Sequence, residues 1–409
     1  MSAQQHVLAN GLTVAVDPLA GAESVAVGLY AMVGSRSEPE HLNGLAHLVE
    51  HMVFKGAGSR DARAIAEAIE DVGGVLNAWT ARDQTVFHGR VLAKDSELLT
   101  ELIAPFIRAP HIQQEHLERE KDVILSELGE VTDSPDDLVH DHLFEAAFDG
   151  QALGRSVLGT AATLQGATRD DCLNWITGEL VPSRLALCAS GKVDEAQLLK
   201  IAERLFGDME DRPGVPIARA EFVGGVRNDR REFEQAHWCL GLPGLPASDP
   251  RLPALSIFVQ ALGGGMSSRL FQEMREERGL AYSVGAWSQA YADTGIVAIS
   301  CAADRTRAVE SIHLAREIVA QAIDTLTEAE VQRARAQMEA GLLMALETPH
   351  GRADHMARSI EVFGRIVGLD ELLGQLRAVD VPSARAAGAA LIDGRTAIAS
   401  VGAKLALAA

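Results

Sequence analysis

His47 and His51 stand four residues apart in Gly44-Leu45-Ala46-His47-Leu48-Val49-Glu50-His51-Met52-Val53-Phe54-Lys55-Gly56. On a helix that spacing sends both imidazoles off one face, one turn apart, where they can share a metal ion. Glu50 can lie against a metal-bound water without being a ligand, which is the H-E-x-x-H arrangement of zinc hydrolases in reverse order. A catalytic zinc usually takes three protein ligands and keeps a fourth position open, so one more carboxylate, histidine or cysteine is required. Glu127 is the best candidate because it lies on a long helix of the same domain. Spacing alone does not separate it from Glu120 or Glu130.

The elements that must carry these residues follow from turn signals and apolar periodicity. Residues 7–16 read as a strand pair broken at Asn10-Gly11, and 24–33 as a second β-rich run. A polar connection, 34–43, leads into the motif helix, which Gly56-Ala57-Gly58-Ser59 is expected to end. Residues 61–72 read as a helix, 75–80 and 85–92 as strands, and 96–107 and 113–131 as amphipathic and charged helices. The last of these carries Glu120 and Glu127 seven residues apart and therefore on one face. Helices over 136–148, 168–178 and 195–206 follow, with a short strand at 185–190.

Residues 207–215, with Pro213 inside and Pro216 just beyond, have the character of a linker, which divides the chain into domains 1–210 and 223–409 joined by 211–222. Beyond it the order of elements recurs: a strand at 236–242, an apolar helix at 252–262 ended by Gly263-Gly264-Gly265, and a long helix at 328–346. Laid on the first half without gaps, Leu255, Phe258 and Val259 take the places of His47, Glu50 and His51, and Gly341 or Leu342 falls opposite Glu127. This reads as an internal duplication with one metal-binding copy and one apolar copy.

The bulk numbers fit that organisation. A length of 409 residues exceeds one ordinary core, and 47% hydrophobic with 23% charged residues is the balance of a soluble globular protein. No run of about 18 apolar residues is present, so no membrane span is expected. The amino terminus enters a strand-like segment without an export signal, and Cys172, Cys188, Cys239 and Cys301 lack C-x-x-C spacing and read as buried free thiols. Both features imply a cytoplasmic location. A net charge of −20 argues against nucleic-acid binding and is compatible with basic or unstructured peptides.

The motif stretch, Leu76-Asn77-Ala78-Trp79-Thr80 and Glu118-Arg119-Glu120-Lys121-Asp122-Val123-Ile124-Leu125-Ser126-Glu127 together resemble the pitrilysin and insulysin family of zinc peptidases. The likeness is strongest to the branch of mitochondrial processing peptidase and its small bacterial relatives, and it covers nearly the whole chain. The resemblance implies an α+β fold of two homologous domains, each a mainly antiparallel sheet packed with helices. It implies one Zn2+ per chain on His47, His51 and Glu127, Glu50 as general base, and Glu120 supporting the site behind the ligands. It also gives Arg275 and Tyr282, in Phe271-Gln272-Glu273-Met274-Arg275-Glu276-Glu277-Arg278-Gly279-Leu280-Ala281-Tyr282, the task of holding the substrate backbone and the forming oxyanion. Asn77 and Ala78 would pair with an extended substrate.

The implied function is a zinc-dependent endopeptidase acting on peptides or unfolded segments in an enclosed chamber. One chain has both the metal motif and the Arg/Tyr pair, which favours a homodimer with a composite active site. The alternative is a non-catalytic assembly or core subunit of the same fold. Such subunits tend to have damaged metal motifs, whereas His47, Glu50, His51 and Glu127 are intact.

Overall fold

In the computed structural model, which describes residues 3–231, 233–392 and 394–405, two mainly antiparallel sheets are each covered by helices on both faces. The first half runs β1 (Gln4–Val7), β2 (Thr13–Pro18), β3 (Ser24–Ala31), α1 (Leu45–Val53), the short pair β4 (Gly56–Ala57) and β5 (Arg60–Asp61), α2 (Ala62–Glu70), β6 (Val75–Thr80) and β7 (Thr85–Leu92). It continues with α3 (Ser96–Arg108), α4 (Gln114–Asp133), α5 (Pro135–Ala147), α6 (Ala161–Gly166), α7 (Arg169–Glu179), β8 (Leu185–Gly191) and α8 (Glu195–Phe206). The second half runs β9 (Gly225–Asp229), β10 (Gln235–Pro243), α9 (Leu252–Gly263), β11 (Ala281–Ala290), β12 (Gly295–Asp304) and α10 (Ala308–Thr325). It ends with α11 (Glu328–Ala345), α12 (Pro349–Phe363), α13 (Leu369–Arg377), α14 (Val381–Ala389) and β13 (Ala397–Val401).

One expected boundary is corrected. The motif helix stops at Val53 with Phe54 as its cap, and Gly56–Ala57 turns into an extended pair with Arg60–Asp61. The Gly56 carbonyl accepts the backbone N–H of His111, so this backbone is extended before the glycine-rich stretch is complete.

The two sheets share a topology. The first has the order β1-β2-β8-β3-β7-β6 and the second β11-β12-β10-β13-β9. Read from the edge hairpins, β6-β7-β3-β8-β2 matches β11-β12-β10-β13-β9 strand for strand. The parallel pair also recurs at the same place, β2 with β8 and β9 with β13, while β1 extends the first sheet alone. That agreement supports the duplication more strongly than the residues do.

Neither compact unit is a continuous stretch of chain. The first takes the residues up to Leu128, Ser156–Ala218 and Leu343–Gly368; the second takes Gly129–Arg155, Arg219–Leu342 and the residues from Leu369 on. The continuous bounds 1–210 and 223–409 do not anticipate this exchange. Strands β3 and β8 are buried along almost their whole length, which requires cover on both faces. In the first unit α12 supplies the second cover: Ala353, Met356 and Ala357 pack on Ala15, Tyr30, Val86, Ala186 and Cys188. The Tyr30 hydroxyl donates to Asp354 Oδ1 at 2.6 Å, and Arg352 Nη1 donates to the buried Asp17 Oδ2 at 2.9 Å. In the second unit α5 has the same task, with Leu143, Phe144 and Phe148 against Cys239, Ala399 and Val401. Among the described residues no helix is long and apolar enough to cross a membrane.

Candidate metal centre

The start of α1 fixes the motif in space. Gly44, at φ +96°, turns the chain into the helix, and a Cβ there would meet the carbonyl oxygen of Leu158 at 2.7 Å, so both the conformation and the space call for glycine. The Glu38 carboxylate accepts the N–H groups of Gly44 at 2.8 Å and Ala46 at 2.6 Å and the Asn43 amide at 3.0 Å. It thus satisfies first-turn donors that have no partner inside the helix and places negative charge at the positive end of the dipole. Leu45, Ala46, Leu48, Val49, Met52 and Val53 sink into the core of the first unit.

On the remaining face of α1 the His47 and His51 rings lie 4.7 Å apart, centre to centre, at 66°. Glu127 reaches them from α4, its Oε2 3.8 Å from His47 Nε2 and 3.9 Å from His51 Nε2. One ligand atom from each of the three lies within 4.8 Å of the others, and among the described residues this is the group of three or more metal-binding side chains that converges so closely. The donors suit zinc: bonds of about 2.0–2.2 Å place tetrahedral ligand atoms about 3.4 Å apart, so the two separations between Glu127 and the histidines need to close by about half an ångström. Burial, and then the neighbouring His51, pull the His47 pKa down to about 4, which keeps its imidazole neutral and able to ligate. Its buried Nδ1 has no hydrogen-bond partner among the described groups.

Behind the ligands, His51 Nδ1 lies 3.1 Å from Glu120 Oε2, and Lys55 Nζ lies 2.8 Å from Glu120 Oε1. A carboxylate on Nδ1 makes that nitrogen the donor and leaves the Nε2 lone pair for the metal side. Glu50 is half-buried, and its Oε2 accepts the Thr80 hydroxyl at 2.6 Å. Burial pushes the Glu50 pKa up, while the Thr80 bond and the nearby His51 act in the opposite direction. The balance is a carboxylate held nearer neutrality than an exposed one, as a general base requires.

The structure therefore brings together His47, Glu50, His51, Glu120 and Glu127. Asn77 and Ala78 lie on the edge strand β6, which also delivers Thr80; Asn77 is exposed and its Oδ1 accepts the Ala78 N–H at 2.9 Å, so that N–H points away from β7. Arg275 and Tyr282 belong to the second unit. Arg275 sits in a π-helical turn, Phe271–Glu277, exposed, with its guanidinium 4.8 Å over the Phe271 ring. Tyr282 stands 72% exposed where the β11–β12 register skips between Ala281 and Ser283, a bulge that turns the side chain outward rather than into the core. Leu255, Phe258 and Val259 are buried, and no metal-binding group lies among them.

Three contributors escaped the sequence reading. Thr80 shares a face with Leu76 and Ala78, the only sign that it turns toward α1. Lys55 is four residues past His51, a spacing that continues the ligand face by one turn. Glu38 lies eight residues ahead of the Ala46 N–H that it accepts, beyond the reach of any capping pattern.

A family model described as Insulinase (Peptidase family M16) matches residues 13–161, the part that contains the three converging side chains. A zinc protease of Streptomyces coelicolor, described as uncharacterized, is 33% identical over 98% of this chain and 89% of its own length. The chain belongs to peptidase family M16. A second M16 model, described as Peptidase M16 inactive domain, matches residues 166–338, which include Arg275 and Tyr282. Another relative, also described as an uncharacterized zinc protease, is from Bacillus subtilis and is 30% identical over 92% of this chain and 93% of its own. The M16 fold is shared with a protease from Helicobacter pylori, at TM-score 0.90 and 20% identity over 98% of this chain and 99% of that one. A peptidase M16 inactive domain from Pseudomonas fluorescens matches equally well, at TM-score 0.90 and 20% identity over 99% of both chains.

Proposed function

We propose that this M16 protein is a zinc-dependent endopeptidase that cleaves peptides or unfolded polypeptide segments. The observation that carries the reading is the convergence of His47, His51 and Glu127 beside a Glu50 whose pKa is raised by burial. Zinc bound to those three side chains, one ion per chain, supplies Lewis acidity and a water of lowered pKa. Glu50, held by Thr80, takes a proton at its carboxylate and returns it to the leaving amine. Glu120 keeps His51 in the ligating tautomer. The outer edge of β6 at Asn77 and Ala78 is where an extended substrate adds as a further strand, taking the Ala78 N–H over from the Asn77 side chain, so main-chain hydrogen bonds set affinity.

Arg275 and Tyr282 complete the proposal as donors to the substrate backbone, in an enzyme that works as a homodimer. Their exposure leaves both groups available to a ligand. The four cysteines are all free and buried, which suits a reducing compartment, and we assign the enzyme to the cytoplasm on that ground. A reading as a non-catalytic subunit gains no support from the metal side chains, since the whole set is present. The test is digestion of a peptide library by the purified chain, read by mass spectrometry, before and after chelation. The proposal expects cleavage that chelation abolishes and zinc restores; cleavage indifferent to chelation, or none with zinc supplied, would refute it.

A further inference from the structure

We propose that Lys55 is a positioning residue of the metal centre, clamping Glu120 so that both His51 and Glu127 are held for zinc. The inference rests on the zinc reading above and adds a residue to it. Lys55 follows the last turn of α1, and its N–H still bonds the Met52 carbonyl at 3.1 Å, so it stands one turn beyond His51 on the same side of the helix. The two residues grip one carboxylate from α4, each on its own oxygen: Lys55 Nζ to Oε1 at 2.8 Å and His51 Nδ1 to Oε2 at 3.1 Å. Glu120 is buried, its side chain 8% exposed, whereas Lys55 keeps a third of its side chain in solvent. A buried carboxylate gripped at both oxygens cannot turn about its own axis.

Two consequences follow. The His51 imidazole is fixed in orientation and tautomer, because its Nδ1 partner cannot swing away. Glu127, seven residues after Glu120 and so about 10.5 Å further along α4, is placed by the same anchor. Its own side chain is 41% exposed, and the contacts that it makes with the histidines, at 3.8 and 3.9 Å, are too long to be hydrogen bonds. The placement of this ligand therefore depends on how α4 is pinned to α1, and the Lys55–Glu120–His51 clamp is the polar pin nearest to it. A lysine suits the position because its long stem lets the ammonium reach a buried oxygen while a third of the side chain stays in solvent.

The test is zinc affinity of the full chain, measured by competition with a chromophoric chelator near neutral pH, for wild type, Lys55→Met, Lys55→Arg, Glu120→Gln and the double variant Lys55→Met/Glu120→Gln. Loss of an outer partner of a zinc ligand weakens binding by about 10- to 100-fold. We expect that loss for Lys55→Met, recovery to within about threefold of wild type for Lys55→Arg, and a double variant no weaker than Glu120→Gln alone, since both act through one carboxylate. Thermal unfolding of the metal-free variants separates this from general destabilisation: Lys55→Met should weaken zinc binding beyond anything its change in Tm accounts for. If wild type takes up zinc and Lys55→Met takes it up as tightly, or if Lys55→Arg fails as badly as Lys55→Met, the clamp is wrong while the zinc reading stands. If wild type takes up no zinc, both fall together.

Discussion

Thr80→Val is the perturbation that reports most closely on the proposed base. It removes one hydroxyl, keeps the branched shape on β6, and deletes a 2.6 Å bond to Glu50 Oε2, within the short range of hydroxyl-to-carboxylate bonds. Hydrogen bonds to charged groups contribute about 1.5–3 kcal/mol net, and 1.4 kcal/mol is a factor of ten. The sign follows from which form the bond favours. Thr80 stabilises ionised Glu50 against the burial that raises its pKa, so losing the bond raises that pKa further. In the proposed mechanism the ionised carboxylate is the active form, and kcat/KM is therefore affected on the acid side of the profile. We expect the acid limb of kcat/KM on a fluorescence-quenched peptide to move to higher pH in Thr80→Val, with activity below that limb reduced by about 10- to 100-fold. Well above the limb the variants should converge to within about threefold, and Thr80→Ser, which keeps the hydroxyl, should follow wild type. An unmoved acid limb in Thr80→Val would refute the claim that this bond sets the state of Glu50.

Further outcomes can be stated briefly. Gly44→Ala forces a Cβ against the Leu158 carbonyl at 2.7 Å and a side chain onto φ +96°, so it should cost about 1–3 kcal/mol in urea unfolding and weaken zinc binding by displacing α1. Arg352→Met takes a cation from the fully buried Asp17 and should cost about 3–5 kcal/mol by the same measurement, with the zinc ligands unchanged. His47 has a folded pKa of about 4 against an ordinary 6.5, so the unfolded chain binds the extra proton. Metal-free protein should therefore lose stability as pH falls from 6.5 toward 4, by about 3 kcal/mol from this group, and His47→Gln should show a shallower decline in chemical denaturation.

How much of this was legible in the sequence depends on distance along the chain. The histidine pair, Glu50 and the strands 75–80 and 85–92 rest on spacing within a few residues, where turn chemistry and periodicity act directly. Glu127 was one of several acids on a helix until the family resemblance singled it out, because a 3.6-residue period tells which residues share a face but not which neighbour that face meets. The exchange of α5 and α12 lay further out of reach. Fully buried strands such as Leu185–Gly191 announce that both faces are covered, yet nothing local tells which helix does so, and the cover for β8 comes more than 150 residues later. Thr80, Glu38 and Lys55 were missed for a related reason: each is an ordinary residue for its element and acquires its task from a partner brought near by the fold.

The central claim is that Glu50 moves protons at a zinc centre built by this chain. Zinc content and peptide hydrolysis measured on one preparation of Glu50→Gln test it most directly, since the substitution keeps the shape and the Thr80 contact while removing the base. The account predicts one zinc per chain, as in wild type, with hydrolysis reduced by at least about 100-fold. A variant that holds its zinc and still cleaves at the wild-type rate would contradict it.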